Sequence, residues 1–165
     1  MKRLVLVRHA KAEPWGYDED YSRALTDRGE SDARKVSRAL LKLGIIPDLM
    51  ITSPAMRAIQ TAMFFATEFE YPEKSIIKNR LFYEGLSSGE LLEIVHRMKE
   101  NYGSLFIFGH NPAMSSYARS FSRDFSGDMA TCSAVVLDFP VERWDQISMR
   151  TGELSHLLNP KELPE

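Results

Sequence analysis

Cys132 is the only cysteine among 165 residues, so the chain can form no internal disulfide and no thiolate zinc cluster. Histidine is also scarce. There are four, His9, His96, His110 and His156, and no two stand at a metal-ligand spacing. No apolar run is long enough to cross a bilayer, and "LVLV" at 4–7 is too short for a signal-peptide core. The expected location is therefore the cytoplasm, with no membrane partner. Neither sign of charge dominates: 21 Lys and Arg stand against 23 Asp and Glu, a net charge of −2. Such a balance sets up no general field for nucleic acid. Repeats, low-complexity tracts and linkers are absent too, which leaves one expected domain over 1–158 and a loose tail, "NPKELPE", over 159–165.

What is there is an alternation of short β-like runs with helical periodicity. Strands are expected at 3–8, 48–52, 75–79, 104–109, 133–139 and 145–152. Between the first two, Ala33, Val36, Ala39, Leu40 and Leu43 share one helical face, with Asp27 and Glu30 spaced as a capping box and Gly44 as the stop. A second helix starts at "SP", with Ser53 as cap and Pro54 behind it. A third repeats Leu91, Ile94, Val95 and Met98, and a fourth starts at "NP", Asn111 and Pro112. This order implies an α/β fold of three layers, αβα, around a mainly parallel sheet. The two late strands, with no helix between them, imply an antiparallel strand at one edge. Met and Phe residues of 56–69 and the lone Cys132 read as core, and His96 as exposed.

On that scaffold the chemistry converges. Arg8 and His9 end the first strand, Arg57 lies in the first turns of the second helix, and His110 directly follows the fourth strand. In an open parallel sheet the carboxyl ends of the strands share the edge where ligands bind. Two helix starts open on the same rim and favour anions. Cations gathered there call for a dianion, and a phosphoryl group matches the arginine forks. A histidine among arginines should have a lowered pKa through like charge, and a neutral imidazole can accept a phosphoryl group. Arginines and a second histidine would stabilise the transferring oxygens without a metal or cofactor. Phosphate, vanadate and tungstate are then the expected pocket ligands. Lys11, Glu13 and Trp15 are expected in loops at the pocket edge.

The segments "LVRHAKAE", "RALTDRG", "TSPAMRAIQTA" and "FGHNPAM", in this order, resemble the histidine phosphatase superfamily in its phosphoglycerate mutase-like branch. The short chain and "GHNP" are most similar to the small phosphohistidine phosphatases of the SixA type. The resemblance implies a phosphoglycerate mutase-like fold. It also implies His9 as the phosphorylated nucleophile, Arg8 and Arg57 as phosphate ligands and His110 as the second pocket histidine. Arg23 of "RALT" matches an arginine that touches substrate, and Asn111 joins the phosphate-binding set. Mutases of this branch carry a glutamate as general acid in a segment L-x-E. Here "RLFYEG" puts Tyr83 at that place and the candidate acid, Glu84, one residue beyond.

Three functions follow from these residues. The leading one is a metal-independent phosphatase that hydrolyses phosphohistidine on a protein through a phosphohistidine enzyme intermediate. Short inter-strand segments, leaving the rim open to a side chain presented by another protein, favour it. The second is a broad small-molecule phosphomonoesterase. The third, a non-catalytic phosphate-binding module, leaves the nucleophilic histidine without a purpose.

Overall fold

The computed structural model describes residues 1–14 and 19–165. Trp15 lies outside them. The apolar run at the N-terminus forms β1 (Lys2–Arg8), whose Leu4 and Leu6 face one side of the sheet and Val5 and Val7 the other. All four are buried because helices cover both faces, which is why the strand reads as continuous rather than alternating. On the Val5 and Val7 side lie α1 (Asp27–Lys42) and α2 (Met56–Phe69). On the other lie α4 (Ser88–His96) and α5 (Ala113–Phe121), together with the short α3 (Leu81–Glu84). The remaining strands are β2 (Leu49–Thr52), β3 (Ile77–Lys78), β4 (Ser104–Gly109), β5 (Ala134–Phe139) and β6 (Glu153–Leu158).

The sheet order is β3-β2-β4-β1-β5-β6. β1, β4, β2 and β3 pair in parallel, and β5 runs antiparallel to both β1 and β6. The reversal expected at one edge thus resides in β5, and the outermost strand β6 again points along β1. Register decides what reaches the ligand edge. Arg8 pairs with Gly109, and Thr52 with Phe108. Beyond the strands, the His9 N–H donates to Gly109 O at 2.9 Å and the Ser53 N–H to Phe108 O at 3.0 Å. Residues 8–9, 52–53 and 109–110 therefore emerge side by side.

Several elements differ from expectation. The strand expected at 145–152 is absent. The buried Trp144 opens a 3-10 turn, Trp144–Gln146, and Arg150 takes a positive φ of 62°, so pairing resumes only at β6. The strand expected at 75–79 is reduced to β3, because Glu73–Ser75 form a 3-10 turn. Helix α1 is capped by Thr26, not Asp27: Thr26 Oγ1 accepts the Gly29 N–H. Its Leu43 turns outward at the C-cap, 48% exposed, while Gly44 takes the positive φ that ends the helix. Helix α2 starts three residues after Ser53, and its Met56 is exposed. His96 is half-buried rather than exposed and bonds Ile147 O at 2.7 Å. The 159–165 segment is not loose along its length. Asn159 caps a 3-10 turn, Pro160 is buried and Leu163 packs on the core.

Candidate active site

A cavity of about 310 Å³ opens at the carboxyl ends of β1, β2 and β4, lined by Arg8, His9, Lys11, Ala12, Arg23, Arg57, His110, Asn111 and Thr131. Five sequence candidates, Arg8, His9, Arg23, Arg57 and His110, are thus brought together from four separate segments. Lys11 sits at the edge as expected, and Glu13 contributes its carbonyl, which accepts from Arg23 Nη1 at 2.9 Å.

His9 is held from all sides. Its carbonyl accepts the Cys132 N–H at 3.0 Å, and its Nδ1 lies 2.7 Å from Ala10 O. A carbonyl oxygen only accepts, so Nδ1 carries the proton and Nε2 keeps its lone pair. The next N–H, that of Ala10, donates to Thr61 Oγ1 at 3.0 Å, and Thr61 in turn donates to Arg57 O at 2.8 Å. One hydroxyl thereby locks the loop after β1 to the first turns of α2. The "LTDRG" motif braces the same loop from the other side. The Thr26 N–H donates to Lys11 O, and a Cβ on Gly29 would stand 2.1 Å from that same oxygen, so only glycine fits.

The two histidine rings lie 5.1 Å apart, centroid to centroid. His9 is lowered to about 4, by burial first, with the Ala10 bond opposing and the charges of Arg57, Arg8 and Arg23 adding to the fall. Like charge, the cause expected from sequence, is therefore secondary to desolvation. His110 is lowered to about 3, again by burial first, then by His9 and Arg57. Both are neutral at pH 7. His110 Nε2 lies 2.8 Å from Ser53 Oγ. That oxygen also accepts the Ala55 N–H, and where its own proton goes to His110 Nε2 the ring proton of His110 sits on Nδ1. Ser53 is thus a pocket support rather than the helix cap it was expected to be. Among the described residues, Arg8 Nε, Arg23 Nε, Arg57 Nε and His110 Nδ1 are buried without a partner. Three guanidinium groups lining one cavity suit an anion.

Two candidates are placed differently from expectation. Glu84 does not reach the cavity: its carboxylate is half-exposed and pairs with Arg80 at 3.6 Å. Asn111 lines the wall, but both ends of its amide are committed. Nδ2 donates to Met129 O, and Oδ1 accepts from the Ser115 N–H and hydroxyl. Since Arg8 Nη1 also donates to Met129 O, Asn111 braces the loop that seats Arg8. The same Asn111 oxygen occupies the N-terminal turn of α5, whose free N–H groups were expected to face an anion.

One residue was missed altogether. Asp20, in a 3-10 turn at Asp20–Ser22, accepts from Arg57 Nη2 at 3.2 Å and from the Tyr83 hydroxyl at 2.9 Å, and pairs with Arg23 Nη2 at 3.1 Å. Its backbone carbonyl accepts from Arg57 Nη1 at 2.7 Å. Burial pushes the Asp20 carboxyl up, but the Tyr83 hydrogen bond and the two arginines outweigh it and hold it below the usual carboxylate range. The available signal was local: an aspartate three residues before the candidate Arg23. Tyr83 stacks edge-on to His110, with centroids 5.7 Å apart, and its phenol is raised, chiefly by the bond to Asp20.

Residues 4–84 match the model of the histidine phosphatase superfamily (branch 1). A serine/threonine-protein phosphatase, mitochondrial Pgam5 of Drosophila grimshawi, is 28% identical over 171 residues, covering 94% of this chain. The chain spans 58% of that relative's length. SixA of Agrobacterium tumefaciens superposes with a TM-score of 0.78 at 24% identity, covering 96% of this chain and 98% of that one. The protein histidine phosphatase SixA in complex with tungstate superposes at 0.74 and 17% identity, covering 96% and 97%. At these identities the two structures are likenesses of fold, and with the six-stranded sheet they establish a phosphoglycerate mutase-like αβα architecture.

Proposed function

The chain belongs to the histidine phosphatase superfamily, and from that premise we propose that it hydrolyses phosphohistidine on a protein through a phospho-His9 intermediate. The observation that carries the proposal is the neutral His9, its Nδ1 proton tied to Ala10 O, in a cavity shared with three arginines. Its Nε2 lone pair attacks phosphorus, and the bond from phosphorus to the substrate's imidazole nitrogen breaks. The departing imidazole takes a proton from water. A second water then attacks the phosphorylated His9, the bond to Nε2 breaks, and inorganic phosphate leaves. Arg8 and Arg57 stabilise the equatorial oxygens, and His110 supplies an N–H from Nδ1 when Ser53 donates to its Nε2.

Leaving-group chemistry favours the phosphorus–nitrogen bond. An alkoxide leaves poorly without a positioned acid, whereas imidazole leaves readily. Glu84 faces solvent, and the Tyr83 proton is engaged by Asp20. A second reading, hydrolysis of phosphoserine or phosphothreonine on a protein, is favoured by the likeness to Pgam5.

Rates on a phosphohistidine protein, a phosphoseryl protein, an aryl phosphate and an alkyl phosphate test the two readings. The expected order is phosphohistidine, then aryl, then both alkyl esters, unchanged by chelators. Labelled substrate should leave an acid-labile, base-stable phosphoenzyme that His9→Ala abolishes, with a loss of turnover on the order of 10⁴-fold or more. An active His9→Ala protein would overturn the mechanism, and a phosphoseryl rate above the phosphohistidine rate would favour the second reading.

A further inference from the structure

From the geometry around Asp20 we infer that this carboxylate is a positioning residue, holding Arg23 and Arg57 side by side as one phosphoryl cradle. The inference rests on the proposed phosphoryl site. Two guanidinium groups drawn from different segments repel each other and need a counter-charge to stand side by side. Asp20 does so with one oxygen each: Oδ1 to Arg23 Nη2 and Oδ2 to Arg57 Nη2. Its backbone carbonyl takes the other terminal nitrogen of Arg57, which is thereby gripped at both ends of its fork. The carboxylate is not among the groups lining the cavity. It therefore steadies the arginines from outside the cavity, and each terminal nitrogen it engages keeps a second N–H for the ligand.

Tyr83 completes the arrangement. Its hydroxyl donates to Oδ2, the oxygen that also holds Arg57. The phenol thus anchors Asp20 instead of protonating a leaving group. At the place where mutases of this branch carry an acid, this chain carries the support for its arginines.

Vanadate binding, measured by calorimetry, and KM and kcat for an aryl phosphate test the inference. Asp20→Asn keeps the shape and removes the charge. It should weaken vanadate and raise KM by roughly tenfold to 10²-fold, with a smaller change in kcat. In an Arg23→Ala background the same change should cost much less, because Asp20 acts through the arginine. Asp20→Ser, which also removes the charge, serves the same cycle if the Asn variant does not fold, and Asp20→Glu, which retains it, should recover part of the affinity. Unchanged vanadate affinity in Asp20→Asn would overturn the inference, as would full additivity with Arg23→Ala. Tighter vanadate binding would also overturn it, showing that the carboxylate competes with the phosphoryl group. Failure of the wild-type protein to bind vanadate would instead remove the phosphoryl site, and the inference with it.

Discussion

The Ala10 N–H donates to Thr61 Oγ1 across 51 residues of sequence, at 3.0 Å and fully out of solvent. This bond ties the loop of the proposed nucleophile, His9, to the helix bearing Arg57. Thr61→Val keeps the volume, removes the acceptor and orphans a buried N–H, at a cost of about 1–3 kcal/mol. Turnover should fall about tenfold, because reacting groups tolerate little displacement. Thr61→Ser, which restores the hydroxyl, should recover most of both losses in a denaturation and steady-state comparison.

Depressed histidines make stability depend on pH with a definite sign. His9 titrates at about 4 and His110 at about 3 in the fold, against about 6.5 when unfolded. Below pH 6.5 the unfolded chain takes up protons that the native protein refuses. Their contribution is thus fully present above 6.5 and is lost as pH falls toward 4. With both residues linked, the slope reaches at most about 2.7 kcal/mol per pH unit. Urea midpoints measured from pH 7 to 5 should fall, and His110→Ala should flatten the decline. A flat wild-type profile would contradict the burial of the pair.

The arginines should separate by role. Arg8→Ala and Arg57→Ala should each reduce turnover on the order of 10²-fold, as expected for loss of a charged transition-state contact. Arg23→Ala should act mainly on KM. Glu84→Gln should leave every rate within about twofold of wild type, since loss of an exposed ion pair is worth little. A large loss of alkyl phosphatase activity in Glu84→Gln would make that carboxylate the general acid after all.

Glycine to alanine inside a helix normally stabilises by about 1 kcal/mol. At Gly29 the sign should reverse, because the added Cβ would land on Lys11 O, a backbone atom that cannot swing aside. Gly29→Ala should cost about 1–3 kcal/mol. It should also lower activity by shifting the loop that carries His9, while a second glycine change at the open Gly44 should leave activity unaffected.

Much of the fold was legible because it rests on local pattern. The Leu4–Val7 run, the helical spacing of α1 and the strand-to-helix motifs each encode their own conformation, and parallel topology carries their ends to one edge. The late strand was misplaced because Ile147 and Met149 alternate as a strand would, while β6 is half-exposed and weakly patterned. Asp20 was overlooked for another reason: beyond the local spacing to Arg23, its partners Arg57 and Tyr83 are 37 and 63 residues away and meet it only in the folded chain. Asn111 was visible as a residue, but a motif does not record which way an amide's hydrogen bonds run. The cause of the His9 shift was misjudged because burial, unlike charge, is not a property of neighbouring letters.

The single thiol has its own consequence. Cys132, at a φ of 59°, joins the strand carrying Ala134 to the carbonyl of His9, and its sulfur is completely enclosed. Burial pushes the thiol up, further from the reactive thiolate. Phosphatases that work through a cysteine are silenced when peroxide converts that sulfur to a sulfenic acid. The nucleophile proposed here is a ring nitrogen, and the sulfur of the single cysteine is sealed off from solvent. On that proposal, dephosphorylation by this chain would proceed through an oxidative burst that stops thiol-based enzymes.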